Sequence, residues 1–374
     1  MRKTIGFVSA LLAALMLAGC GGGGAGDQSP KIKFSSAVYF GDSLSDVGSY
    51  AVPTITAYGG GGQYTINGGG KNWTELVSAQ LGLAAPCAYE TGLNGSVFGA
   101  GVTIATHAGC TNYAQGGARV TIPYGPGNAT LATLFPTNTT FADYALLGQL
   151  TVPITTQMDN HIGTLTSTGG KFSGNEVVFV LAGANDILMQ FGTYGASVTA
   201  DPTNAATYAT DAVTATGAAA TDLVGYIDTK LIANGAKYVV VLNVPDIANT
   251  PFAISNGAAA KDFIDTLVTT YNGILKAGLA NNANVLFIDA YSANRDEVTN
   301  PTAYGLTNVD TPACDLTAAT NPLGSSLMCN TSNLISGVTA DTHYLFADDV
   351  HPTPYGYLQL ARLVSKEMLI KGWM

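Results

Sequence analysis

Ala37 to Tyr50, AVYFGDSLSDVGSY, sets a short apolar run directly against Gly41, Asp42 and Ser43. A run that is continuous in hydrophobicity, not alternating, is how a strand buried on both faces of a parallel sheet reads. Glu176–Leu181 (EVVFVL), Tyr238–Asn243 (YVVVLN) and Val285–Asp289 (VLFID) have the same character. Helical patterns accompany them at Asn72–Leu81, Asp201–Asn234, Gly257–Ala280 and Pro354–Ile370. Strands that alternate with crossover helices predict an α/β fold with a central parallel sheet.

In open sheets of this kind, ligands bind beyond the carboxyl ends of the strands. Ser43 stands just past the first run, and Gly183–Asp186 (GAND) follows the strand ending at Leu181, so both are expected over one sheet edge. Taken alone, Ser43 in such a turn also reads as a helix cap. A serine hydroxyl becomes a nucleophile when a base takes its proton and a third group orients that base. The histidines are His107, His161, His343 and His351. His351 has Asp348 three residues before it, a spacing that lets the carboxylate hold Nδ1–H and leaves Nε2 facing a serine. Asp349, and Asp341 with His343, are rival pairings of less suitable spacing. An oxyanion formed by attack needs prepositioned donors. The Ser43 N–H, a glycine N–H from Gly116-Gly117 and the Asn185 side chain are candidates, although a plain turn and a loop cap are the alternative readings of the last two.

GDSLSD, NYAQGGA, GAND and DDVHP, in this order, resemble the four blocks of the GDSL, or SGNH, hydrolase family. TINGGGKNWTELVSAQLGL resembles the family's Trp-containing stretch after the first block, and the likeness runs from Ala37 to the C-terminus. The resemblance implies a three-layer α/β/α flavodoxin-like domain that needs no cofactor or metal. It implies Ser43 as nucleophile, Asp348 as orienting acid and His351 as base, with Ser43, Gly117 and Asn185 as oxyanion donors. Gly117 is preferred to Gly116 because the family places its glycine sixth from the Asn of this block. Asp42 and Asp186 are then structural. The activity implied is that of a serine esterase or lipase acting on acyl esters. An O-acetyl esterase acting on acetylated glycans is the alternative within this chemistry, and a non-catalytic surface binding lipoprotein the alternative outside it. The GxSxG elbow of ordinary α/β-hydrolases is absent.

The N-terminus reads as an address. Arg2 and Lys3 precede the apolar run Ile5–Leu17, and Leu17-Ala18-Gly19-Cys20 resembles a bacterial lipobox with Cys20 as the lipidated residue. Residues 1–19 are thus expected to be a lipoprotein signal peptide, 20–30 a lipidated Cys and Gly-rich tether, and 31–374 the hydrolase domain. By the same resemblance to a lipobox, Gly21 after the Cys favours the outer membrane of a Gram-negative cell. Membrane contact is expected through the lipid anchor only, and a monomer is the expected state. The net charge of −10 argues against a nucleic-acid partner; a small-molecule or lipid ester is the partner the resemblance implies. Cys87, Cys110, Cys314 and Cys329 suit an exported chain with two disulfides. Of the three connectivities, Cys87 with Cys110 and Cys314 with Cys329 is preferred, since each pair encloses a Gly-, Asn- and Thr-rich segment. The long segments Ala51–Gly70, Val120–Asp143 and Asn294–Thr342 read as loops with few core residues that shape the mouth of a site. The glycines of GGGGQYTINGGG do not follow a strand as a phosphate loop would.

Overall fold

The computed structural model describes residues 32–68, 70–95, 101–135, 147–317, 319, 321–339 and 341–374. Residues 1–31, which hold the proposed signal, Cys20 and the tether, lie outside them.

The four apolar runs form one parallel sheet: β1 (Ser36–Gly41), β4 (Glu176–Leu181), β5 (Tyr238–Leu242) and β6 (Val285–Ile288) lie side by side in that order. The register pairs Val38 with Val178 and Val178 with Val239, so β-branched side chains stack along the hydrogen-bonding direction. On the outer side of β1, residues 111–115 run alongside without becoming a full strand. Tyr39 N donates to Thr111 O at 3.0 Å, Tyr113 N to Tyr39 O at 2.8 Å and Gln115 N to Gly41 O at 3.1 Å. This places a reduced fifth strand beside β1, and with it the order of a flavodoxin-like sheet. A separate antiparallel hairpin, β2 (Glu90–Leu93) with β3 (Val102–Thr106), stands apart.

Alternate residues of each strand face opposite layers. Val38, Phe40, Val178, Val180, Val239 and Val241 pack on one side. There they meet α2 (Ile154–Thr164), α4 (Ala205–Tyr226) and α5 (Ala258–Leu279) through Met158, Leu223 and Leu267. Tyr39, Phe179, Leu181, Val240 and Ile288 face the other side, against Trp73 and Val77 of α1 (Trp73–Gln80) and Tyr357, Val364 and Met368 of α7 (Pro354–Lys371). The result is a three-layer α/β/α architecture.

The helices over 184–200 and 290–299 lie outside the helical patterns read in the sequence. α3 (Ala184–Ala200) begins within GAND, and its glycines, alanines and threonines blur the apolar period. α6 (Ala290–Thr299) falls where Asn294–Thr342 reads as loop; its mean hydropathy is low and Asp289 caps it through Ser292 N. The segment Ala51–Gly70 also departs from expectation, because Val52, Ile55, Tyr64 and Ile66 are buried. They form small cores with Leu327, Met328 and the Cys314–Cys329 pair. Both expected disulfides are present, Cys87–Cys110 with Cα atoms 5.0 Å apart and Cys314–Cys329 at 5.9 Å. The second closes a 15-residue separation. In the chain-entropy view a loop of that size contributes about 3 kcal/mol.

Candidate active site

β1 delivers its carboxyl end to the turn Asp42–Asp46. Gly41 is required at the strand end because a Cβ there would stand 2.7 Å from Leu181 O on the neighbouring strand. The turn is then held from several directions. Gln157 of α2 accepts from Gly41 N and donates to Gly41 O, both at 2.9 Å. Asn112 donates to Ser45 O at 2.9 Å. Asn72 caps α1 and also donates to Leu44 O and Asp46 O at 3.2 Å. Asp46, fully buried, accepts from Gly48 N, Ser49 N and Gly116 N at 2.8–3.0 Å. Burial pushes its pKa up to about 6 and that of Asp42 up to about 7, with the Leu44 N–H opposing the rise at Asp42.

The loop before α7 brings the second half. Ala347 N donates to His351 O at 2.7 Å, closing a tight turn around Asp348. The Asp348 carboxylate accepts from Val350 N, His351 N and Ser326 N at 2.7–3.0 Å and lies 2.8 Å from His351 Nδ1. Burial acts to raise its pKa, but the His351 imidazole and these donors outweigh it and hold the carboxyl well below the usual range. His351 Nε2 lies 2.8 Å from Ser43 Oγ. Ser43, His351 and Asp348 therefore form one hydrogen-bonded line. The rivals lie elsewhere: His343 bonds Gly305 O and stacks on Tyr355, His107 bonds Thr91, and His161 is buried against Tyr113, Phe40 and Phe172. Asp341 pairs with Thr339; Asp349 borders the same cavity as Ser43, but His351 Nδ1 is bonded to Asp348 instead.

Gly117 and Asn185 reach the same cavity as Ser43. Gly116 N is committed to Asp46, whereas Gly117 N and Ser43 N meet no acceptor among the described residues. Gly117 has φ +76°, and a Cβ on it would collide with the Pro126 carbonyl. Asn185 Nδ2 donates to Ala118 O at 2.9 Å, which leaves its second N–H free to point elsewhere. Arg119 Nε and Asp186 Oδ1, both buried, pair at 3.0 Å, and Asp186 also accepts from Val120 N. The glycine loop and the start of α3 are thus one rigid unit. Among the described residues no cluster of three or more His, Cys, Asp or Glu side chains is arranged to hold a metal ion.

Sequence reasoning missed Tyr64. Its ring lies 4.6 Å from the His351 ring, tilted 36°. Its hydroxyl meets Gln149 at 2.6 Å when that amide is oriented to suit its neighbours, and Gln149 then donates to Gly116 O at 3.1 Å. One buried side chain thus touches the histidine and, through Gln149, the glycine loop. An aromatic face favours an adjacent cation by about 0.5–2 kcal/mol, so the ring suits an imidazolium formed during attack. Tyr64→Leu is expected to lower kcat/KM for an ester about tenfold, and Tyr64→Phe, which keeps the ring, by less. Steady-state kinetics on both variants decide it, and equal losses would assign the effect to the hydroxyl.

The cavity over these residues has a volume of about 830 Å³, within the usual range of small-molecule sites. The long segments do line it, through Tyr64, Pro126, Glu297 and Leu323.

The family model described as GDSL-like Lipase/Acylhydrolase matches residues 38–364. A GDSL esterase/lipase of Arabidopsis thaliana is 32% identical over 113 residues, 29% of this chain and 26% of the plant protein. The chain thus spans about a quarter of the length of that curated relative. Among solved structures, an alpha/beta hydrolase enzyme from the metagenome of Lake Arreo aligns with TM-score 0.41 and 13% identity, over 92% of this chain and 98% of its own. An extracellular lipase from Streptomyces rimosus aligns with TM-score 0.38 and 13% identity, over 89% and 99%. An acetyl xylan esterase from Geobacillus stearothermophilus aligns with TM-score 0.37 and 13% identity, over 90% and 96%.

Proposed function

Because the chain belongs to the GDSL-like lipase/acylhydrolase family, we propose that it is a serine esterase or lipase that cleaves carboxylic acyl esters through an acyl-enzyme on Ser43. The observation that carries this reading is the 2.8 Å contact between Ser43 Oγ and His351 Nε2, with Asp348 behind the ring. His351 takes the Ser43 proton as Oγ attacks the ester carbonyl, and Asp348 fixes the tautomer and stabilises the imidazolium. The oxyanion is met by the N–H groups of Ser43 and Gly117 and the free N–H of Asn185. His351 then gives its proton to the leaving alcohol, and water, deprotonated by His351, releases the acid and restores Ser43.

A fluorophosphonate probe tests the reading directly. Labelling at Ser43, lost in Ser43→Ala, is the expected result. An unlabelled wild-type protein would instead favour a binding module that keeps the fold without catalysis.

The address is a proposal of the same standing: residues 1–19 as signal peptide, Cys20 as lipid attachment site and 20–30 as tether, with the domain held at the outer membrane. The two disulfides support an oxidising compartment.

A further inference from the structure

Resting on the proposed lipid anchor at Cys20, we infer that the amino edge of the sheet is a docking face for an anionic membrane surface. The four parallel strands all begin on this edge and all end beneath the Ser43 cavity. Charge is distributed along the same axis. Lys33, Lys171 and Lys237 precede β1, β4 and β5, and Lys371 ends α7, all four exposed. At the opposite ends, Asp42, Asp186, Asp246 and Asp289 follow β1, β4, β5 and β6. The net charge of −10 therefore does not describe the amino edge. Carboxylates at that edge are engaged: Glu176 accepts from the N–H groups of Ser173, Gly174 and Asn175, Asp228 accepts from Asn282, and Glu367 lies 3.6 Å from Lys366.

The lysines frame an apolar surface. In the last turn of α7, Leu369 and Ile370 are 58% and 70% exposed. Beside them Trp373 meets the Tyr238 ring edge-on at 5.2 Å, and Lys371 Nζ lies 5.6 Å from the Trp373 ring centre. Phe34 also packs edge-on against Tyr238, so the start of the domain belongs to the same cluster. Lysines around aromatic rings and exposed aliphatic side chains make a composition that settles at a membrane interface. The anchor decides the occupant. Residues 21–31 separate Cys20 from Ile32, which enters the domain at this edge. That link spans at most roughly 40 Å even when extended. Each lysine near an anionic surface strengthens binding about fivefold, and a short tether keeps the face at high effective concentration over the bilayer. β1 then carries Ser43 roughly 20 Å from the docked face, so the cavity opens away from the bilayer and takes its ester from the aqueous side.

The chain has two tryptophans, and Trp73 is buried in the core, so Trp73→Phe leaves Trp373 as the reporter of the face. The lipidated protein is reconstituted in vesicles of equal parts phosphatidylglycerol and phosphatidylcholine, with acyl chains brominated or unbrominated. An interfacial contact lies within about 5–10 Å of the acyl boundary, so Trp373 is expected to lose roughly half its emission in the brominated anionic vesicles. Little loss is expected in brominated phosphatidylcholine alone. Should Trp73→Phe not fold, the protein with both tryptophans compared with Trp373→Phe gives the same readout. Lys33→Glu with Lys371→Glu should abolish the quenching while the protein still floats with the vesicles, and a denaturant melt reports that the variant is folded. An unquenched Trp373 in floating, lipidated protein overturns the docking face and leaves the anchor. Equal quenching in phosphatidylcholine overturns the choice of an anionic surface. Dimers with an unquenched Trp373 give the face to a second copy of the chain. A Cys20 found without lipid by mass spectrometry removes the anchor, and the docking face with it.

Discussion

Ser43→Ala is expected to slow ester hydrolysis by roughly ten thousand- to a million-fold, the scale seen when a nucleophile is removed from a working triad. The size follows from the lack of any substitute. Without Oγ, His351 has no hydroxyl to deprotonate and the reaction must use water unplaced by the enzyme. The residual rate would come from Gly117, Asn185 and substrate binding alone. If the hydrogen-bonded line Ser43–His351–Asp348 acts as a unit, as proposed, Ser43→Ala with His351→Ala should be no slower than Ser43→Ala by itself. Stability should hardly move. The Asp42–Asp46 turn is held by Gln157, Asn112, Asn72 and Gly116, none of which bonds the Ser43 side chain. Initial rates on a p-nitrophenyl ester with a denaturant melt on each variant check both statements. Activity within tenfold of wild type would remove Ser43 from the mechanism.

What could be read from the sequence was whatever depends on local pattern. The four central strands are buried on both faces, so each announces itself as a continuous apolar run within one residue of its observed bounds. Asp348 and His351 were legible because only Asp349 and Val350 separate them in the chain, a spacing over which the two side chains can meet within one turn. The residues that hold the site were not. Gln157 lies on the buried face of α2, where a polar residue only weakens an amphipathic pattern, and its partners at Gly41 are 116 positions away. Tyr64 sits in a glycine-rich stretch that resembles exposed loop, yet it is buried because the segment packs on Leu327 and Met328 from near the other end of the chain. Contacts at such separation leave no periodicity behind. α3 escaped for a different reason. Its glycines, alanines and threonines carry too little hydrophobic contrast to draw an apolar stripe.

Arg119→Met is expected to destabilise the protein by about 3–5 kcal/mol at neutral pH, because it leaves a buried carboxylate without its cation. Arg119 and Asp186 are 5% and 3% exposed in their side chains, so solvent cannot replace the lost partner. Burial already raises the Asp186 pKa, and Arg119 is what chiefly opposes that rise. Removing the arginine raises it further, and the sign of the pH dependence follows. A carboxyl whose folded-state pKa lies above its unfolded value binds more protons in the folded state, so stability falls as pH rises through that window. The deficit of Arg119→Met should thus be largest above neutrality and shrink toward acid pH as Asp186 takes up a proton. Adding Asp186→Asn removes the stranded charge while keeping an acceptor for Val120 N, so the double variant should be more stable than Arg119→Met alone. Catalysis should suffer even in folded protein. The ion pair joins the loop of Gly117 to the helix start of Asn185, and Asn185 in turn bonds Ala118 O in the same loop. Loosening that joint spreads the donors by fractions of an ångström, and oxyanion stabilisation depends on geometry at that scale. Denaturant unfolding from pH 5 to 9, with kcat measured at each pH below the transition, separates the two effects. A variant as stable as wild type at pH 8 would show that the pair is not what binds these two segments together.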